Sequence, residues 1–288
     1  MKTTLALLAT VLAPAAWAQP GAANTGPVGM VEQPCPPAVA MPASVQKQLY
    51  SMFMEPRTLV PADFTQLTGD KAFAEYNAAA RGSPARDWPN LCRFRAANAA
   101  VVASGAAPQL VFMGDSITEN WLLGDPSLFN NNYINRGISA QTTPHMVLRF
   151  RADVVALKPR FVHLMAGTND IAGNTGPSTV QDFKNNVMTM AELAKANGIG
   201  VLLASIPPAA SFNWQPSIDP VPRIRELNAW LKSYAAANGH RYVDYYTALS
   251  GPKGELRSEL SNDGVHPNRD GYVIMRKVLE TQMAAPAK

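Results

Sequence analysis

Ser116, Asn169, Asp263 and His266 are the side chains of this sequence whose types and order could carry out acyl transfer. Ser116 stands in Gly114-Asp115-Ser116-Ile117-Thr118 and Asn169 in Gly167-Thr168-Asn169-Asp170. The acid and the histidine share Asp263-Gly264-Val265-His266-Pro267. A serine is a weak nucleophile until a base takes its proton, and the base needs a third group to orient it. Asp263 precedes His266 by three residues, so one loop can bring the carboxylate to Nδ1 and leave Nε2 for the serine. Charge developing on the substrate oxygen needs fixed donors. The Ser116 amide, the Gly137 amide and the Asn169 side chain are the candidates for that oxyanion hole. Glycine permits close backbone approach, and asparagine carries an amide N–H.

Each residue also has a plainer reading. Ser116 suits a helix N-cap, Gly137 a loop, Asn169 an Asx turn and Asp-x-x-His a simple turn. Asp115 reads as a brace for its own loop. His163 falls inside an apolar run and His240 just before one, whereas His145 opens a helix near the rim of the site and stays open.

The elements that must position these residues decide between the readings. From residue 109 onward apolar runs at 110–113, 133–135, 161–166, 201–206 and 242–245 read as buried parallel strands. Helical segments around 146–157, 178–196, 224–237 and 268–283 separate or follow them. Ser178-x-x-Gln181 reads as a capping box and Asn197-Gly198 as a helix stop. The alternation implies an α/β fold, a three-layer α/β/α flavodoxin-like arrangement with a five-stranded parallel sheet in the order 2-1-3-4-5. Ligands of such sheets bind beyond the carboxyl ends of the strands. Ser116, Gly137 and Asn169 follow strands one, two and three, and Asp263 and His266 follow strand five. One sheet edge therefore collects the whole set.

The 288 residues begin with Lys2, an apolar stretch and Ala16-Trp17-Ala18, which reads as a signal peptide over 1–18. The expected location is thus exported, periplasmic or secreted, without a stable membrane anchor. Residues 19–100 form an N-terminal extension, rich in Gly and Pro to about 45 and then partly helical. Its helical patterns, such as 72–80 and 91–102, are split by Pro61, Gly69 and Pro84. The main domain spans 105–285. Two cysteines, Cys35 and Cys92, in an exported chain favour a disulfide. The net charge of +4 is dispersed, apart from the Arg93/Arg95 and Arg149/Arg151 pairs. It reads as solvated faces, not a nucleic-acid footprint.

Together the Gly114–Thr118, Gly167–Asp170 and Asp263–Pro267 blocks resemble the SGNH, or GDSL-type, hydrolase superfamily over about 109–283. Residues 135–143 and 167–177 resemble its branch related to platelet-activating-factor acetylhydrolase and bacterial acylhydrolases. The resemblance implies that its four named residues map to Ser116, Gly137, Asn169 and His266. It also implies a Ser116–His266–Asp263 triad and ester hydrolysis with no metal or other cofactor. Rival readings are weaker. A metallophosphoesterase would use Asp115, Asn169, Asp170 and His266 but needs a denser histidine set. An α/β-hydrolase would need a glycine where Thr118 stands. A non-catalytic exported binding protein would be expected to lack one of Ser116, Asn169 or His266. The expected substrate is a small-molecule or glycan ester of a short acyl group, acetylated carbohydrate first. A lipid or lysophospholipid acyl group is the alternative. Trp121, Phe212 and Trp214 are the aromatic candidates for its pocket, or else simple core cover.

Overall fold

A computed structural model describes residues 29–82, 84–130 and 132–284, and the expected signal peptide at 1–18 lies outside the described residues. Four helices come first: α1 (Ala43–Phe53), α2 (Pro61–Gly69), α3 (Lys71–Arg81) and α4 (Arg95–Ala103). Pro61 and Gly69, read from sequence as breaks, are the two ends of α2. Proline suits the first helical position because its missing N–H would have had no partner there. The Cys35–Cys92 disulfide is formed, with the two Cα atoms 5.3 Å apart.

Strands and helices then alternate as β1 (Leu110–Gly114), α5 (Ser116–Gly124), β2 (Tyr133–Gly137), α6 (Thr143–Asp153) and β3 (Phe161–Met165). They continue through α7 (Thr168–Ile171), α8 (Val180–Ala196), β4 (Gly200–Ala204), α9 (Val221–Asn238), β5 (Arg241–Val243), α10 (Tyr245–Leu249) and α11 (Arg269–Ala284). All neighbouring strands are parallel, in the order β2-β1-β3-β4-β5. The pleat sends alternate side chains to opposite faces. Val111, Met113, Val162 and Leu164 pack with α6, α8 and α9, while Leu110, Phe112 and Leu202 pack with α5, α10 and α11. Met52 and Phe53 of α1 and Leu67 of α2 join that second core, so part of the extension is buried with the sheet. Among the described residues no helix is long and apolar enough to cross a membrane.

Two local expectations need correction. The capping box of α8 is Thr179 with Asp182, not Ser178 with Gln181: Asp182 N–H donates to Thr179 Oγ1 at 3.0 Å and Thr179 N–H to Asp182 Oδ2 at 2.9 Å. The charged Asp182 accepts more strongly than an amide would and also favours the helix N-terminus. Tyr245, read as strand, begins α10, because Asp244 Oδ1 accepts the Thr247 N–H and caps a helix there.

Candidate active site

Register brings the site together. Gly114 pairs with Gly137 on one side and Met165 on the other, so β1, β2 and β3 end level. Ser116 is the first residue of α5, directly after Asp115, whose carboxylate accepts the Ile117 N–H at 3.0 Å and caps the helix. Asn169 lies in the short α7 after β3. Asp263 and His266 share the loop before α11. There Asp263 Oδ1 accepts the Val265 and His266 N–H groups at 2.9 and 2.8 Å.

Ser116 Oγ is 2.9 Å from His266 Nε2, and His266 Nδ1 is 2.7 Å from Asp263 Oδ2. The distances are those of a nucleophile, a base and an orienting acid in one hydrogen-bonded chain. Burial alone would raise the Asp263 pKa, but the His266 charge and its hydrogen bonds hold it down to about 2. Burial likewise opposes a charged His266, yet Asp263, and less strongly Asp115, keep its pKa above the usual imidazole value. Asp115 itself is lifted to about 6 by burial. Its Oδ2 receives Asn169 Nδ2 at 3.3 Å, so it does brace the site, as its sequence position suggested.

Asn169 is held from three sides. Its Oδ1 accepts from Asn174 Nδ2 at 2.6 Å, and its Nδ2 also donates to the Gln141 carbonyl at 3.0 Å. Those partners fix which end of the amide is the donor. Gly137 does not take its expected place. Its N–H donates to Asn135 Oδ1 at 2.8 Å, and it is absent from the cavity lining. A Cβ at 137 would stand 2.3 Å from the Glu119 backbone nitrogen and 2.8 Å from the Asp115 carbonyl oxygen. Gly137 is needed for the packing of β2 against α5, and the amide expected at the substrate is spent elsewhere. Ala140 lines the cavity with Ser116 and Asn169 instead, in a left-handed backbone conformation with φ of 66°. An alanine at positive φ has no sequence signature, since the conformation ordinarily selects glycine or asparagine.

The sequence also hid the support beneath these loops. Arg149, read as part of a solvated pair, is fully buried. It donates to Gln141 Oε1 at 2.6 Å, the Arg136 carbonyl at 2.8 Å, Asp153 Oδ2 at 2.9 Å and the Gly114 carbonyl at 3.0 Å. One guanidinium thus ties the ends of β1 and β2 to the residue whose carbonyl holds Asn169. Only Asp153, four residues later on α6, hinted at such a pair.

A cavity of about 650 Å³ opens over Ser116, Asn169 and His266. Of the three aromatic candidates, Trp121 and Phe212 are buried in the core, and Trp214 alone reaches the cavity. It lies on the rim and donates to Asn174 Oδ1 at 2.8 Å. His145 caps α6 and stacks on Trp88 at 4.0 Å outside the cavity, and His163 is buried against the Tyr245 hydroxyl at 2.9 Å. Asp170 accepts from the Thr143 amide, at the start of α6, at 3.0 Å.

The family model of GDSL-like lipases and acylhydrolases matches residues 112–274. A GDSL-like lipase from Bacteroides thetaiotaomicron is 42% identical, covering 67% of this chain and 97% of its own, with a TM-score of 0.63. An acylhydrolase candidate from Bacteroides fragilis is 43% identical, covering 68% and 96%, with a TM-score of 0.64. The lipoprotein YqeF of Bacillus subtilis is 37% identical over 87 residues, which are 29% of this chain and 36% of that protein. An acetyl xylan esterase from Geobacillus stearothermophilus shares the fold at 20% identity, covering 62% and 95%, with a TM-score of 0.52.

Proposed function

The chain belongs to the GDSL-like lipase/acylhydrolase family and is a serine hydrolase of carboxylic esters, and on that premise we propose that Ser116, His266 and Asp263 are its catalytic triad. The observation that carries this reading is the chain of two hydrogen bonds, 2.9 and 2.7 Å, from the Ser116 hydroxyl through His266, both lining the cavity, to the Asp263 carboxylate behind them. His266 Nε2 takes the Ser116 proton as Oγ bonds to the ester carbonyl carbon. Asp263 holds the Nδ1–H tautomer and stabilises the imidazolium. The carbonyl oxygen, now negative, rests on the Ser116 amide, the Asn169 side chain and the Ala140 amide. In this reading Asn169 exchanges its longer contact, to Asp115, for the substrate. His266 then protonates the leaving alcohol, and a water activated by the same imidazole releases the acid.

The proposed substrate is a small ester whose acyl group is short, acetyl first. The alcohol portion is a sugar if it stacks on the exposed Trp214 indole at the rim, and an apolar group if it lies along the apolar wall of the cavity. Export is part of the proposal. It draws on the amino-terminal sequence, on the disulfide, and on the description of YqeF as a lipoprotein. Ser116→Ala tests the whole assignment: turnover of a p-nitrophenyl ester and labelling by a fluorophosphonate should both vanish while the protein stays folded. Wild-type turnover in that variant would end the reading. Activity surviving EDTA is the expected companion result.

A further inference from the structure

Phe53, the last residue of α1, sets its ring edge-on to the His266 imidazole with centroids 5.4 Å apart. The contact is not incidental, because α1 is fastened to the loop that bears the imidazole. Asn262 Nδ2 donates to the Met52 and Glu55 carbonyls at 2.8 and 2.7 Å, and the Leu59 N–H donates to the Asn262 carbonyl at 3.1 Å. From Phe53 the cavity continues along apolar side chains of the extension, namely Leu49 on α1, Leu67 on α2 and Phe73 on α3. Leu122 and Leu123 of α5 line it as well. The cavity-facing residues of α3 run Phe73, Tyr76, Asn77, Ala80 and Arg81, the three-and-four spacing of one helix face.

The chemistry gives this wall a direction. In ester cleavage the Ser116 Oγ–carbon bond forms as the bond from carbon to the alcohol oxygen breaks. The proton that passed from Ser116 to His266 Nε2 goes to that departing oxygen. The alcohol must therefore leave on the imidazole's side, where Phe53 and Leu49 stand. We infer that helices α1–α3 form the site for the leaving alcohol, and that the preferred substrates are short-acyl esters of apolar alcohols, not of sugars. The inference rests on the serine-esterase reading above and names its substrate class.

Removing a methylene from water favours the bound state enough to raise kcat/KM by up to about fourfold. The experiment compares methyl, butyl, hexyl and octyl acetate, which share one acyl group, with methyl butyrate, hexanoate and octanoate, which share one alcohol. Acetylated xylooligosaccharide is the polar-alcohol arm, and acid release is titrated in every case. The expected result is a kcat/KM at least about tenfold higher for hexyl than for methyl acetate, with a flat or falling acyl series and the sugar acetate below hexyl acetate. Leu49→Ser and Phe73→Ser should each lower the hexyl-to-methyl ratio several-fold, and the wild-type series decides the matter even if neither variant folds. A flat alcohol series, a rising acyl series, or a sugar acetate preferred over hexyl acetate would overturn the inference. Fluorophosphonate labelling of Ser116 in the same preparation keeps the two readings apart. A labelled enzyme with a flat alcohol series loses only the alcohol site, whereas turnover persisting in Ser116→Ala removes the triad.

Discussion

Replacing Arg149 with methionine removes four hydrogen bonds and one ion pair from a place no water reaches. The guanidinium is fully buried, and its partner Asp153 is 1% exposed. Methionine fills much of the volume but leaves the Asp153 carboxylate with Asn98 Nδ2, at 2.7 Å, as its remaining side-chain donor. The Gly114 and Arg136 carbonyls and Gln141 Oε1 each lose a donor as well. Breaking one side of a buried pair costs about 3–5 kcal/mol, chiefly because a charge is stranded. For a chain of this size each kcal/mol moves Tm by about 2–4 °C, so the expected fall is about 6–20 °C. Circular dichroism melts of Arg149→Met and of Arg149→Met/Asp153→Leu separate the causes. Removing the stranded carboxylate should return at least about 1 kcal/mol, because an apolar pair of similar volume carries no desolvated charge. A single-variant loss under about 3 °C would refute the reasoning, and so would a double variant no more stable than the single.

Further outcomes follow from the same geometry. As the proposed base His266 must be neutral to act, and because its pKa is raised above 6.5, kcat/KM should fall as pH drops through a value higher than that of a free imidazole. Asp263→Asn should move this limb downward and lower kcat by about 10³–10⁴-fold, and a pH–rate profile reads both. For stability the signs are opposite. The raised His266 pKa contributes below 6.5 and is lost as pH rises through the folded value, while the lowered Asp263 pKa contributes above 3.8 and is lost as pH falls toward about 2. Gly137→Ala should destabilise by about 3 kcal/mol or more in denaturant titration, since its Cβ meets backbone that cannot rotate away. Reducing the Cys35–Cys92 bridge frees residues 57 apart and should lower stability by up to about 4 kcal/mol, seen as a lower Tm in dithiothreitol.

The sheet was legible because buried parallel strands are short apolar runs with helices between them, and its order was expected by likeness to other five-stranded doubly wound sheets, not from the runs themselves. Ser116, Asn169, Asp263 and His266 were legible for the same reason: each follows a strand, and parallel strands end at one edge. Gly137 shows the limit of that argument. Residue type and strand end were right for an amide donor, but Asn135, two residues earlier, takes the N–H. Ala140 could not be read at all, because its backbone conformation is imposed by the loop around it. The cavity wall was hidden for another reason. Leu49, Phe53 and Phe73 look like ordinary apolar faces of short helices, and the His266 with which they share a cavity lies some two hundred residues away.

The clasp between Asn262 and α1 joins segments that leave the ribosome at opposite ends of synthesis. Everything that Asn262 holds, from Met52 to Leu59, exists long before Asn262 does. Until the loop before α11 arrives, α1 lacks the clasp that seats it, and Ser116 lacks the His266 and Asp263 side chains proposed as its base and orienting acid. Wall and base are thus completed in one late, long-range step, the kind of contact that forms slowly because so much chain must close around it. Under the proposed triad a growing or partly unfolded chain is therefore an inert one, and hydrolytic competence is itself a report that residues 52–59 and the Asn262 loop have met.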